Sequence, residues 1–315
     1  MLYKANRSCK PDSRLPEEKT NLILRAVIIQ AIRNFFIDHE YLEVETPCRI
    51  PWPAPEANID VITSGNMLMQ TSPELCMKRL LAKGYEKIFQ ICKCFRQNER
   101  SQRHLPEFTM LEWYHAAWNY VDMMDQCEDL IRHVSFKTGV KDVLSFQGKK
   151  INLAPSWQKM TVADAFECFG SISLHDALDA DRFEEIIAFE IAPFLGWDQP
   201  VFLCDYPVKL GAMARLKPEN TALVERFELY ICGIEICNAF SELSDANAQR
   251  KRFETEQHRM GLSGKKVYEL PEKFLDCLDA MPEAAGNALG IDRLVMLFAD
   301  TPTIDDVVAF TPEDL

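Results

Sequence analysis

The sequence predicts an α+β domain in which helices flank an antiparallel β-sheet, and three observations predict it. The apolar run Ile88-Phe89-Gln90-Ile91 leads to Arg96, and a charged polar loop then gives way to the apolar run Phe108 to Tyr114, which carries one carboxylate. The runs Val224 to Tyr230 and Ile234 to Glu242 flank Gly233 as the arms of a hairpin would. Near the end, small residues alternate from Gly286 to Gly290 on a strand that runs straight into a helix through Leu297.

The elements follow in order. Asn21 to Asp38 carries Leu24, Ile28, Ile32, Phe35 and Phe36 at helical spacing. Tyr41 to Pro47 alternates like a strand and stops at its proline. Met67 to Gln70 is a short strand. A helix start follows, with Ser72 at the cap, Pro73 in the first turn and Glu74 near the positive helix end. Val121 to Val134 reads as a helix. The region 138–200 carries no recognisable chemistry and one helix near Arg182 to Phe194, as an insertion would. Val201 to Asp205 is a strand. After the hairpin come a polar helix from Ala246 to Met260 and a helix around Pro271 to Leu278.

A chain of 315 residues, 47% hydrophobic, can form one large domain with a sizeable core. Its net charge of -13 gives no basic footprint for broad nucleic-acid binding. Residues 1–20 are polar, without the apolar core of a signal peptide, and no apolar run approaches the ~20 residues of a membrane span. A soluble cytoplasmic protein is expected. Of the eleven cysteines, Cys76, Cys92, Cys94, Cys204, Cys232, Cys237 and Cys277 lie inside apolar segments and read as small hydrophobes. Cys92 and Cys94 share a strand face, but no second pair stands at zinc-site spacing.

Parity locates the candidate chemistry. Side chains two apart on a strand share a face, so Phe108, Met110, Glu112 and Tyr114 point one way. That face is either a floor for an adenine and an ammonium group or a half-buried aromatic face with one solvated glutamate. Glu228 and Glu235, seven apart around the turn, would stand opposite each other. Carboxylates across a ladder repel, so either a cation such as Mg²⁺ sits between them or both are solvated on an edge strand. Asn238, Phe240 and Glu242 share one face, and Glu235 has the opposite parity, which requires a bulge or twist between them. Glu74 either stabilises its helix dipole or faces a substrate amine. Arg293 either grips phosphate or is an ordinary surface arginine of the last helix.

The stretch Phe95 to Tyr114 resembles motif 2 of class II aminoacyl-tRNA synthetases in its lysyl-type version. The helix, strand and proline of residues 21–47 resemble motif 1, and Gly286-Asn287-Ala288-Leu289-Gly290-Ile291-Asp292-Arg293 resembles motif 3. With residues 1–20 as a polar segment and 21–315 as one catalytic domain, the whole chain is similar to the elongation factor P–(R)-β-lysine ligase family, the freestanding paralogue of lysyl-tRNA synthetase. The resemblance implies the class II synthetase catalytic fold and a homodimer built through motif 1. It implies ATP-dependent adenylation of (R)-β-lysine or lysine, then transfer to a lysine ε-amino group on elongation factor P, without anticodon-type tRNA binding. Arg96 would bridge the substrate carboxylate and the α-phosphate, and Arg293 would hold the γ-phosphate and stack under adenine. Asn98, Glu99, His104 and Phe108 would contact ATP, and Glu228 with Glu235 would carry Mg²⁺. Ser72, Glu74, Glu112, Tyr114, Asn238, Phe240, Glu242 and Ala288 would bind the amino acid, whose two ammonium groups need several carboxylates to offset desolvation. Alanine at 288 matches the ligases, where the synthetases carry glycine.

The chain departs from the pattern in places. Gln97-Asn98 stands in place of Asn-Glu after Arg96, with Glu99 one position later, so either Asn98 or Glu99 meets the adenine. Leu105 replaces an asparagine, and Cys237 and Ala239 crowd the pocket floor. Two other functions share the pattern: a lysine-activating enzyme with another acceptor, tRNA or protein, and an amino-acid-sensing subunit without catalysis. The presence of Arg96, Arg293, Glu228 and Glu235 counts against the second.

Overall fold

The computed structural model describes residues 17–315, so most of the expected polar segment 1–20 lies outside the described residues. Helix α1 (Glu17–Asp38) buries Ile28, Ile32, Phe35 and Phe36, as their spacing predicts. By length and apolar content α1 could cross a membrane, contrary to the reading of the run from sequence. Its buried face, however, packs into the core beneath the sheet. The strand expected over Tyr41 to Pro47 is confined to β1 (Leu42–Glu43).

A small three-stranded sheet of β2 (Arg49–Ile50), β3 (Thr63–Ser64) and β4 (Met67–Met69) precedes α2 (Glu74–Leu81). Helix α2 starts one residue later than expected, with Pro73 at the N-cap, and the Ser72 hydroxyl accepts from the Glu74 amide at 3.4 Å. Strands β5 (Lys87–Phe95) and β6 (Glu107–Ala116) form the long antiparallel pair. Helix α3 (Tyr120–Thr138) opens on a capping box between Asn119 and Asp122 and closes on Gly139, whose φ of 83° a side chain would strain.

The segment 138–200 contains β7 (Val143–Phe146), β8 (Lys149–Asn152), β9 (Gln158–Thr161), α4 (Val162–Phe169), α5 (Leu174–Asp179) and α6 (Phe183–Ile186). Helix α6 widens at Ile187–Ile191 and tightens at Ala192–Phe194, so the expected single helix is a broken one. Strands β10 (Val201–Pro207), β11 (Leu216–Lys217), β12 (Asn220–Ile231) and β13 (Ile234–Ser241) follow, then α7 (Ala246–Leu262), α8 (Glu272–Leu278), β14 (Ala284–Gly290) and α9 (Ile291–Ala299).

The main sheet has nine strands. Its path runs β1-β5-β6-β14-β13-β12-β10-β9, with β11 added on β12. The interior is antiparallel, and the pairs at the two edges, β1 with β5 and β10 with β9, are parallel. The fold is therefore α+β as predicted, on a mixed sheet. Period-two alternation divides the sheet into two faces. Phe89, Leu111, Trp113, Phe227, Leu229, Ala239 and Leu289 face the core with α1, α3 and α9. The opposite face carries the polar residues singled out above.

Candidate active site

Strand register assembles the site. One row across the sheet reads Gln90, Glu112, Ala288, Asn238 and Glu228, and the next reads Ile88, Tyr114, Gly286, Phe240 and Arg226. Side chains directly opposite on neighbouring strands share a face, so residues scattered from 88 to 288 line one surface. The hairpin turns at Cys232 and Gly233, both at positive φ (54° and 69°), as a two-residue loop requires. Two-residue closure pairs Tyr230 with Glu235, and a register shift past Ile236 pairs Leu229 with Cys237 and Glu228 with Asn238. The parity change demanded by Glu235 and Asn238 is thus a bulge. Glu228 does not stand opposite Glu235 as expected. The two are diagonal neighbours on one face.

The acidic floor of the sheet is sealed. Glu112 and Glu242 are both buried, and Tyr114 donates to Glu112 Oε1 at 2.5 Å. Lys78, a residue the sequence reading passed over, is fully buried in α2. Its Nζ lies 2.5 Å from Glu74 Oε1 and 2.5 Å from Glu242 Oε2. Burial alone would lower the Lys78 pKa, but Glu242 and Glu74 together hold it above the usual value. Glu74 therefore serves the interior of the site as well as its helix terminus. Glu112 Oε2 and Glu242 Oε1 have no donor among the described residues. Burial pushes the Glu112 carboxyl well above the usual carboxylate range, with Glu74 adding to it, and raises Glu242 to about 8 against the pull of Lys78. Buried oxygens without donors call for a missing partner, and a cation with several hydrogens fits both.

The floor is shaped by small residues. A Cβ on Gly286 would sit 2.3 Å from Tyr114 Cε1 and 2.5 Å from Glu242 Oε1. Ala288 stands between Glu112 and Asn238 in the row. Asn238 Oδ1 accepts from Arg226 Nε at 3.1 Å, and Phe240 lies under the Lys78 ammonium at 5.0 Å.

The β5–β6 loop gathers cations. The Arg96 guanidinium lies 5.1 Å from the Phe108 ring centre and 3.7 Å from Glu99, and its Nε has no acceptor among the described residues. Arg293 reaches the Glu235 carbonyl at 2.9 Å and the His104 Nε2 at 2.5 Å. Burial pushes His104 down to about 4, and Arg293, Arg96 and Arg103 reinforce the shift. The imidazole is therefore neutral near pH 7, held amid three mutually repelling guanidiniums. A polyanion would relieve that repulsion. Asn98, at φ 67°, donates to Asp60 at 3.4 Å, while Glu99 turns back to Arg96.

Glu228 accepts from Arg226 Nη2 at 2.6 Å and from Tyr230 at 2.7 Å, and burial followed by Glu235 raises its pKa. Glu235 pairs with Arg293 at 3.3 Å. Two carboxylates on one face, with no cluster of three metal-ligating side chains among the described residues, fit Mg²⁺, which takes most of its ligands from phosphate and water. Sequence reasoning missed Lys78 and Arg226, although both had a signal: Lys78 lies four residues beyond Glu74 on a helix, and Arg226 shares parity with Glu228. It also missed Asp292, which accepts from Arg25 at 2.6 Å and from the Thr109 amide at 2.7 Å, locking α1, β6 and α9 together.

A family model described as tRNA synthetases class II (D, K and N) matches residues 6–314. A lysine–tRNA ligase of Moorella thermoacetica is 37% identical over 320 residues, which are 94% of this chain and 65% of that protein. One of Clostridium perfringens is 34% identical over 324 residues, 94% of this chain and 64% of that protein. An elongation factor P–(R)-β-lysine ligase of Enterobacter sp. is 34% identical over 321 residues, 96% of this chain and 97% of that protein. The chain thus spans 65% and 64% of the lengths of the two lysine–tRNA ligases.

Proposed function

The chain belongs to the class II tRNA synthetase family of the D, K and N type, and from that premise we propose an ATP-dependent, AMP-forming ligase that adenylates (R)-β-lysine or lysine and transfers it to a lysine ε-amino group on elongation factor P. The observation that carries this reading is the pair of buried carboxylate oxygens without donors, Glu112 Oε2 and Glu242 Oε1. They suit the side-chain ammonium of a lysine-like substrate, with Tyr114, Asn238 and Phe240 as walls and Ser72, Glu74 and Ala288 toward its reacting end. Arg96, with an uncommitted Nε, would hold the carboxylate against the α-phosphate.

Arg293, His104, Phe108 and one of Asn98 and Glu99 would bind the rest of ATP. Glu228 and Glu235 would hold Mg²⁺, which neutralises phosphate charge when bound. The substrate carboxylate attacks the α-phosphorus and pyrophosphate leaves. The acceptor amine then attacks the carbonyl and AMP leaves. The near-complete overlap with the Enterobacter ligase supports the protein acceptor. We further read residues 21–315 as one catalytic unit with an insertion at 138–200, working in the cytoplasm as a homodimer through α1 and β1.

The 37% identity to the Moorella lysine–tRNA ligase, against 34% to the Enterobacter ligase, supports a second reading, the same activation applied to α-lysine with tRNA or another protein as acceptor. Exchange of labelled pyrophosphate into ATP, run with α-lysine, (R)-β-lysine and (S)-β-lysine and followed by transfer to elongation factor P, separates the two. Exchange strongest with (R)-β-lysine and label on elongation factor P supports the first. Exchange with α-lysine alone and no label on elongation factor P supports the second.

A further inference from the structure

The loop between β2 and β3 places a carboxylate that none of the roles above uses. Pro53, Ala54, Pro55 and Ala57 are buried, so Glu56 is carried on a tightly packed segment. The loop is fastened on two sides. The Ala57 amide donates to Glu256 Oε2 on α7 at 3.0 Å, and the Gln97 amide of the β5–β6 loop donates to the Asp60 carbonyl at 2.8 Å. Asp60 is also paired with Lys265 at 2.8 Å. The Glu56 carboxylate itself, half-buried, takes no hydrogen bond or ion pair from the described residues. A rigid loop with a free carboxylate is the arrangement of a working group rather than a structural tie.

That carboxylate lines a cleft of about 450 Å³. The inner wall of the cleft is Arg226, Asn238 and Phe240, residues of the amino-acid site, and its outer wall includes Glu184 and Arg252. The cleft thus joins the reaction centre to the surface. The charged groups acting on Glu56 come from every side: Arg96 after β5, Glu74 on α2, Glu256 on α7 and Arg226 on β12. Glu112 and Glu242 are sealed in the floor, whereas Glu56 lines the open cleft together with Glu184 and Glu256, of which Glu256 is tied to the Ala57 amide.

The proposed reaction needs such a group. An acceptor lysine has an ordinary pKa near 10.4 and arrives as an ammonium, which has no lone pair for attack. We propose that Glu56 is the general base for the transfer step, and that the cleft it lines admits the acceptor lysine; this rests on the ligase reading above. One proton of the acceptor ammonium passes to the Glu56 carboxylate. The freed nitrogen lone pair forms a C–N bond to the adenylate carbonyl carbon. The C–O bond to phosphate breaks, its electron pair leaves with AMP, and the second amine proton goes to the departing phosphate oxygen. Burial, with Glu74 and Glu256 adding to it against Arg96 and Arg226, lifts Glu56 to about 7, a value suited to collecting a proton near neutral pH.

The test separates the two half-reactions with Glu56→Gln and Glu56→Asp in the full chain. Pyrophosphate exchange reports adenylation. Single-turnover transfer from enzyme-bound adenylate is followed with elongation factor P and, separately, with hydroxylamine, a nucleophile already unprotonated at pH 7. For Glu56→Gln we expect exchange within about twofold of the unaltered enzyme and transfer to elongation factor P lowered roughly 10²-fold, the usual weight of a general base. Hydroxylamine should react at the unaltered rate, and the transfer defect should shrink as pH rises. Glu56→Asp should fall between. Undiminished transfer in Glu56→Gln overturns the proposal. So does an equal loss in exchange, which would make Glu56 a ligand of the amino acid. Absence of exchange in the unaltered enzyme with every lysine isomer would instead overturn the ligase reading itself.

Discussion

Lys78 Nζ lies 2.5 Å from Glu242 Oε2 where neither side chain is more than 1% exposed. Glu242 thereby gives one oxygen to the protein's own ammonium and keeps the other for a ligand. Removing one partner of a buried ion pair strands the other charge and costs about 3–5 kcal/mol. Lys78→Met should lower the unfolding free energy by about that amount in urea titrations. A loss below ~1 kcal/mol would mean the pair is solvated in solution.

The same pocket should release a proton on binding. Burial raises the Glu242 carboxyl to about 8 against the pull of Lys78, so the carboxylate of the free protein takes up protons in the neutral range. Its ordinary value is near 4.3. A folded-state pKa above the unfolded one favours the folded protein at low pH, and this contribution fades as pH rises through about 8. A substrate ammonium reverses the balance by favouring the carboxylate, so affinity should tighten between pH 6 and 8. Calorimetry of lysine binding in phosphate and in Tris should give different heats. Identical heats in both buffers would exclude the linkage.

Among the described residues Arg96 pairs only with Glu99 at 3.7 Å, whereas Arg293 is tied to His104 and Glu235. Arg96→Ala should cut exchange by roughly 10²–10³, the cost of one donor at a developing charge. Arg293→Ala should also remove a repulsion that holds His104 near 4. The His104 ring signals should then titrate closer to the ordinary 6.5 by NMR. An unmoved His104 titration would show that burial alone sets it.

At the pocket floor, Gly286→Ala would push a methyl group into Tyr114 and Glu242 and should abolish binding of every lysine isomer. Ala288→Gly should instead widen the wall between Glu112 and Asn238. One methyl discriminates by about 1–3 kcal/mol, so the ratio of α-lysine to (R)-β-lysine exchange should rise by roughly tenfold or more. An unchanged ratio would place the specificity elsewhere.

Much of this surface was legible because parity is local. Phe108 to Tyr114 needed only a strand to face one way, and the conflicting parity of Glu235 and Asn238 required a bulge or a twist, of which the structure has the bulge. The partner of Glu228 was not legible, because closure at Cys232 and Gly233 and the shift at Ile236 together set the register. Lys78 and Glu56 were missed for a different reason. Spacing puts Lys78 beside Glu74 on α2, but whether that helix or the β2–β3 loop enters the site depends on how each docks on the sheet, a long-range property that spacing does not carry.

The edge of the sheet supports a last prediction. Ile23 and Ile37, 46% and 56% exposed, lie two heptads apart on α1 and so share a face within ~40°. Leu42 on β1, 50% exposed, follows the helix directly, and among the described residues β1 ends the sheet with its outer edge unpaired. A row of apolar side chains beside an open strand edge favours association. The homodimer expected from motif 1 would cover all three. Sedimentation should therefore give a dimer for the unaltered protein and a monomer for the double variant Ile37→Glu, Leu42→Glu. Both side chains are half in solvent already, so the variant monomer should keep its circular dichroism spectrum. If the variant remains dimeric, the interface lies elsewhere; if the unaltered protein is a monomer, the motif 1 expectation fails for this chain.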